Sequence, residues 1–161
     1  MGSTSKSTLT GVVEGDVQPN AVDLRLGKVF AIRNSLFEID NEHKKHRGSD
    51  EILPGNDGYY HLAPGHYEVV MENIINVGEG EAGWVITRST LNRNGLFLTS
   101  GLYDSGYHGA MAGVLHVTIG SARIKQGTRI GQYLSFDAEA LHKYDGDYGL
   151  NKSHDQKYGV A

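Results

Sequence analysis

Twenty-two glycines against three prolines, scattered along 161 residues, constrain this chain more than any other feature. A glycine inside a helix costs about 1 kcal/mol relative to alanine, so long helices have little room here. The same residue supplies the positive φ that tight turns need. Between the glycines lie short runs rich in β-branched and aromatic residues. "AVDLRLGKVFAI" alternates with a period of two, Val22, Leu24 and Leu26 against Asp23, Arg25 and Gly27. "HYEVVMENIINV", "GWVITRSTL", "GVLHVTIG" and "RIGQYLSFDAE" read as further strands. Helical signal is confined to one turn in "RSTLNRNGL", begun near Ser89 or Thr90 and stopped by Gly95. The pattern predicts an all-β barrel or sandwich.

At this length the chain is one domain and buries roughly two thirds of its unfolded surface. A hydrophobic content of 39% is low for a monomer and tilts the expectation toward an oligomer. A net charge of −4 argues against non-specific binding of nucleic acid or of an anionic membrane, which needs a basic face. Converging Arg and Lys with a divalent cation still allow a polyphosphate ligand. With no cysteine, disulfides and thiolate zinc sites are excluded, and with them the zinc-dependent nucleobase deaminases. "MGSTSKSTLTGVVEG" has neither a basic n-region followed by an apolar run nor a convincing lipidation signal. The expectation is a soluble, cytoplasmic protein. Residues 1–16 read as a disordered or loosely ordered leader, 17–140 as the barrel, and 141–161 as a glycine-punctuated tail, either disordered or ordered against a neighbouring subunit or a bound ligand over whose site it would close. The charged run at 40–51 reads as a solvated loop or mobile insertion. Its His43 and His46 have a metal-binding spacing but no third ligand nearby.

Three segments combine polar residues with turn chemistry beside a strand. In "QPNAVDLRLG", Pro19 stiffens the approach to Asp23, which faces away from Val22 and Leu24. In "TRSTLNRNG", Arg88, Ser89, Thr90, Asn92 and Arg93 offer guanidiniums, hydroxyls and N–H groups suited to cradling phosphate. In "GLYDSGYHGAMAGVLHV", Gly106 and Gly109 frame a sharp turn from which Tyr107 would project. A carboxylate held there, Asp104, can activate water as a general base. The tyrosine face is a flat platform for a sugar or base.

The order "AVDLRLG", "RSTL", "YDSGYHG", "GTRIGQ" and a glycine-rich tail resembles the motif series of the trimeric dUTPase and dCTP deaminase superfamily, over about residues 17 to 155. "VQPNAVDLRLG" and "RSTLNRNG" look more like the deaminase branch, and "YDSGYHGAMAGVLHV" more like the dUTPase branch. The resemblance implies a distorted, jelly-roll-like β-barrel with little helix, a subunit of a homotrimer with sites at its interfaces. It implies that Asp104 deprotonates the water attacking the α-phosphorus and that Asp23 helps hold Mg²⁺–triphosphate through coordinated water. Arg88, Ser89, Thr90 and Arg93 would contact phosphate, and Gln132 would support that side. Tyr107 would pack under the deoxyribose, and backbone groups from Ala110 through Met111 to Gly113 would read the pyrimidine. Tyr148 would close over the base, with Lys152 and Ser153 near the outer phosphates.

Zinc-independent deamination in this superfamily needs a carboxylate on the strand after the turn. The matching place here is His116, and no Asp or Glu occurs between Asp104 and Asp137. Losing that group forfeits roughly 10² to 10⁴-fold in rate. The expected reaction is therefore Mg²⁺-dependent hydrolysis of dUTP to dUMP and pyrophosphate. A dCTP deaminase and a non-catalytic nucleotide-binding regulator are the alternatives. The tail "DYGLNKSHD" departs from both branches, with Asp147 where a deaminase offers a cation.

Overall fold

In the computed structural model, which describes residue 2 and residues 4–160, the alternating segments become strands. In chain order these are β1 (Thr8–Leu9), β2 (Val22–Ile32), β3 (Glu38–Ile39), β4 (Lys44–Lys45), β5 (Ser49–Ile52), β6 (Tyr59–Leu62), β7 (Gly65–Asn76), β8 (Glu81–Thr87), β9 (Leu96–Thr99), β10 (His108–Val117), β11 (Ala122–Lys125) and β12 (Arg129–Asp137). The helical turn is α1 (Ser89–Arg93), ended where Gly95 takes a φ of 76°. A 3-10 turn, His154–Tyr158, lies in the tail.

The main sheet has the order β8-β12-β2-β7-β10-β9, with β1 on β7 and β5 on β2. Its two ends meet. Leu98 N–H donates to Thr87 Oγ1 at 2.8 Å and Val85 N–H to Ser100 Oγ at 3.2 Å, which nearly closes a barrel. Leu24, Leu26, Val69, Ile75, Met111, Leu115 and Ile130 fill the interior. Each such side chain contributes about 1.5–3 kcal/mol when fully buried. The expected barrel with little helix is the observed architecture.

Two segments differ from expectation. Residues 4–16 are not a loose leader. The Ser5 and Ser7 hydroxyls donate to the Glu81 carboxylate at 2.8 and 2.7 Å, and Lys6 N–H joins them at 3.0 Å. Asp16 is fully buried and accepts two bonds from the Arg25 guanidinium, at 2.7 and 3.1 Å. The Glu81 partners lie 74 to 76 residues away, and neither they nor the Asp16–Arg25 pair show in a hydropathy pattern. The charged run is solvated but structured: β3 and β4 form a short hairpin, and β5 adds to the edge of β2.

The tail lies on its own chain. Tyr144 N–H donates to Ser105 O and Leu150 N–H to His108 O, both at 2.9 Å. Tyr158 packs with Phe30, Val70 and Ala110 as a second apolar cluster. Tyr158 OH and Lys157 Nζ reach Glu68 at 2.9 and 2.6 Å. No helix among the described residues is long and apolar enough to cross a membrane.

Candidate functional site

The expected site residues fall into two groups. The first lies around a cleft of about 1020 Å³ between the β10 hairpin, the tail and the segment from Arg33 to Ser49. Tyr107, Ala110, Gly113, Tyr148, Lys152 and Ser153 all line it, although they come from two distant stretches of chain. Met111 does not; its side chain is fully buried in the barrel core. A β-bulge between Ala110 and Ala112 takes Met111 out of register with β7.

Tyr107 does not project from its turn. Its ring folds inward against Tyr103 and Tyr144, at centroid distances of 5.2 and 5.3 Å. Its hydroxyl donates to Ala110 O at 2.5 Å, and Tyr103 OH donates to Ala112 O at 3.1 Å. Burial pushes both phenols well above their usual pKa. Two of the carbonyls expected to read a pyrimidine are thus held by the protein's own tyrosines. Gly109 explains how the tail gets so close: a Cβ there would stand 2.6 Å from Gly149 Cα.

The carboxylates of the cleft are engaged. Glu68 accepts Ser49, Lys157 and Tyr158. Burial opposes its ionisation, but these donors prevail and hold its pKa below the ordinary value. Asp147 pairs with Lys44, and Asp155 accepts Gly149 N–H at 2.7 Å and contacts His154 at 2.9 Å. The partner of Asp147 is thus a lysine of the β4 segment, not a group of the tail itself. Asp104 differs. It sits exposed on the turn between Tyr103 and Tyr107, outside the cleft lining although both tyrosines belong to it, and its carboxylate has no partner among the described residues; only its carbonyl is used, by Tyr107 N–H at 3.0 Å.

His116 is absent from the cleft lining. It pairs across the strands with His66, Nδ1 to Nδ1 at 2.8 Å, and its Nε2 meets Thr99 Oγ1 at 2.9 Å. Burial and the second imidazole lower its pKa. On β10 the cleft is lined by Ala110, Ala112, Gly113 and Val114, and the cross-strand partner of Val114 is Glu68. Glu68 was not foreseen, because no signal local to the hairpin points to β7. As for the histidines of the charged run, no group of three His, Asp or Glu placed to hold a metal occurs among the described residues. His46 instead packs against His154, with centroids 4.7 Å apart and the rings tilted by 43°.

The second group gathers where β2, β12 and the end of β8 meet. Asp23 has 0% exposure, not the outward position that alternation implies. Its Oδ1 accepts Gln132 Nε2 at 3.0 Å and faces Arg88 Nε at 3.5 Å. Its Oδ2 accepts Gln18 Nε2 at 3.2 Å and Arg129 Nη1 at 3.3 Å. Register makes this possible, since Gln132 is paired directly with Asp23 across the sheet. Ser89, Thr90 and Arg93 follow on α1, exposed, beside this cluster. Gln18 and Arg129 were missed, although Arg129 lies inside the motif "GTRIGQ".

The two groups stand at opposite ends of β8. Tyr103 is bridged to Gly83 near its start, and Arg88 follows its last residue. Five residues of strand span about 16 Å.

The sequence profile described as dCTP deaminase-like matches residues 3–137. A Methanosarcina barkeri protein named probable deoxyuridine 5′-triphosphate nucleotidohydrolase is 34% identical over 140 residues, covering 84% of this chain and 82% of its own. A Methanocaldococcus jannaschii protein named deoxyuridine 5′-triphosphate nucleotidohydrolase is 33% identical over 109 residues, 66% of this chain and 70% of its own. Among solved structures, a 2′-deoxycytidine 5′-triphosphate deaminase from Agrobacterium tumefaciens superposes with a TM-score of 0.63 at 17% identity, over 94% of this chain and 47% of that one. A dUTPase of Staphylococcus bacteriophage 80alpha gives 0.54 at 14% identity, over 90% and 99%. These two likenesses concern the fold.

Proposed function

The chain belongs to the dCTP deaminase-like family, and from that premise we propose that it is a dUTP diphosphatase, hydrolysing dUTP to dUMP and pyrophosphate. The observation that carries this reading is the contrast among carboxylates. Glu68, Asp147 and Asp155 in the cleft are all bound to protein donors, whereas Asp104 beside it is free. In the proposed reaction a water oxygen forms a bond to the α-phosphorus while Asp104 takes its proton. The bond from that phosphorus to the bridging oxygen breaks, and pyrophosphate leaves with the electron pair. Deamination has poorer support. Val114 offers no carboxylate, and Glu68 beside it is held ionised by Lys157, which unsuits it to hand a proton to a leaving amine.

Tyr107, Ala110, Gly113 and Tyr148 form the nucleoside side of this reading, with Lys152 and Ser153 toward the phosphates. Arg88, Ser89, Thr90, Arg93 and Gln132 form the phosphate side. Their separation along β8 supports a homotrimer in which the phosphate group of one subunit completes the cleft of the next. The exposed Trp84–Phe136 pair, at 5.9 Å between centroids, leaves apolar surface on β8 and β12 for such contacts. Mg²⁺ is proposed to arrive with the triphosphate. Asp23 does not fit the role of its protein anchor, being fully buried with both oxygens engaged.

The test is product identification after incubation with dUTP, dCTP or dTTP and Mg²⁺. Pyrophosphate and dUMP from dUTP are expected. Ammonia released from dCTP overturns the assignment, and binding without turnover points to a regulator.

A further inference from the structure

A fully buried carboxylate bounded by two guanidiniums and two amides is an unusual thing to place in a phosphate site, and it bears on what each partner does. Arg88 and Arg129 turn one edge toward Asp23 while their side chains keep 30% and 36% exposure. Arg88 Nη1 also donates to Arg129 O at 3.3 Å, and Arg129 Nη1 to Gly15 O at 2.9 Å. The two arginines are thereby tied to one another and to the loop before β2. Their outer N–H groups have no acceptor among the described residues. With one carboxylate against two guanidiniums, the cluster is left with one net positive charge, facing solvent.

We propose that Asp23 is a positioning residue that fixes Arg88 and Arg129 as a two-arginine clamp for the triphosphate, and that it holds no metal. The proposal deepens the diphosphatase reading and adds Arg129 to the substrate-binding residues. The physical argument is one of competition. To reach Mg²⁺, even through water, Asp23 must give up its charge-assisted bonds and admit solvent to a closed position, leaving two guanidiniums without their counter-ion. In place, it removes the freedom of two long side chains before substrate arrives, so less entropy is lost on binding. A guanidinium held in this way presents its remaining fork to phosphate oxygens.

The experiment compares the wild-type protein with Asp23→Asn and Arg129→Gln, the second being a partly exposed position that keeps the test valid if the first fails to fold. KM for dUTP, kcat, and the Mg²⁺ concentration for half-maximal rate at saturating nucleotide are measured for each. Expected is a rise in KM of roughly tenfold or more in both variants, as for loss of a charge-assisted contact. The Mg²⁺ dependence should stay within about twofold of wild type. A shift in Mg²⁺ dependence with KM unchanged overturns the proposal, and so does an unchanged KM in Arg129→Gln. Binding of inorganic tripolyphosphate without metal, by titration calorimetry, separates this from the fate of the functional reading. Wild-type binding lost in both variants supports the clamp even if dUTP is not turned over, and equal binding in all three proteins refutes it.

Discussion

Gly109→Ala tests whether the tail rests on the β10 hairpin as described. An alanine Cβ would lie 2.6 Å from Gly149 Cα, 3.1 Å from Gly149 C and 2.9 Å from Tyr107 OH. Two of these are backbone atoms of the tail, which no rotamer change can move aside. The tail cannot slide, since Leu150 N–H is bonded to His108 O and Gly149 N–H to Asp155. Relief must come from lifting it. Two anchoring backbone bonds are then lost, Leu150 to His108 and Tyr144 to Ser105, at about 1 kcal/mol net each. That agrees with the usual overpacking cost of about 1–3 kcal/mol. For a chain of this size the melting temperature should fall by about 2–12 °C. Hydrogen exchange of the Tyr144 and Leu150 amides should accelerate, while amides in β2 and β7 keep their protection. Unchanged melting and unchanged exchange at Leu150 would refute the packing argument, because a 2.6 Å approach leaves no room for the methyl group.

Asp104→Asn should lower kcat by roughly 10² to 10⁴-fold, with affinity for a non-hydrolysable dUTP analogue kept within about threefold; full activity removes Asp104 from the mechanism. Co-refolding Asp104→Asn with Arg88→Gln should restore part of the activity that each lacks alone, since a mixed trimer regains some intact interface sites. Mixtures as inactive as their components, or a solution mass near that of one 17.5 kDa chain, count against sites shared between subunits. Glu81 gives a pH test. Burial works against its charge, but the Ser7, Ser5 and backbone donors outweigh it and depress its folded pKa. Its contribution is therefore complete above the unfolded carboxylate value of about 4.3 and lost as pH falls through the lower folded value. Glu81→Gln should melt earlier than wild type at neutral pH, with the gap closing in acid; a gap independent of pH contradicts this account.

Periodicity and glycine spacing are local properties, and whatever they govern could be read from the sequence. They located the five long apolar segments, the single turn of helix and the glycine that ends it, and the turn that carries Asp104. Motif order sufficed to place the chain in its family, because a series of short patterns is itself one-dimensional. The tertiary structure decided which groups are free and which are spent. Asp23 reads as an outward residue on an alternating strand, yet Gln132, 109 positions away, and Arg129, 106 away, meet it in the interior. Glu68 belongs to the cleft because β7 pairs with β10, and Asp147 finds Lys44 at a separation of 103 residues. Charge and burial of a carboxylate depend on partners brought close by sheet register, and register is a property of the folded whole.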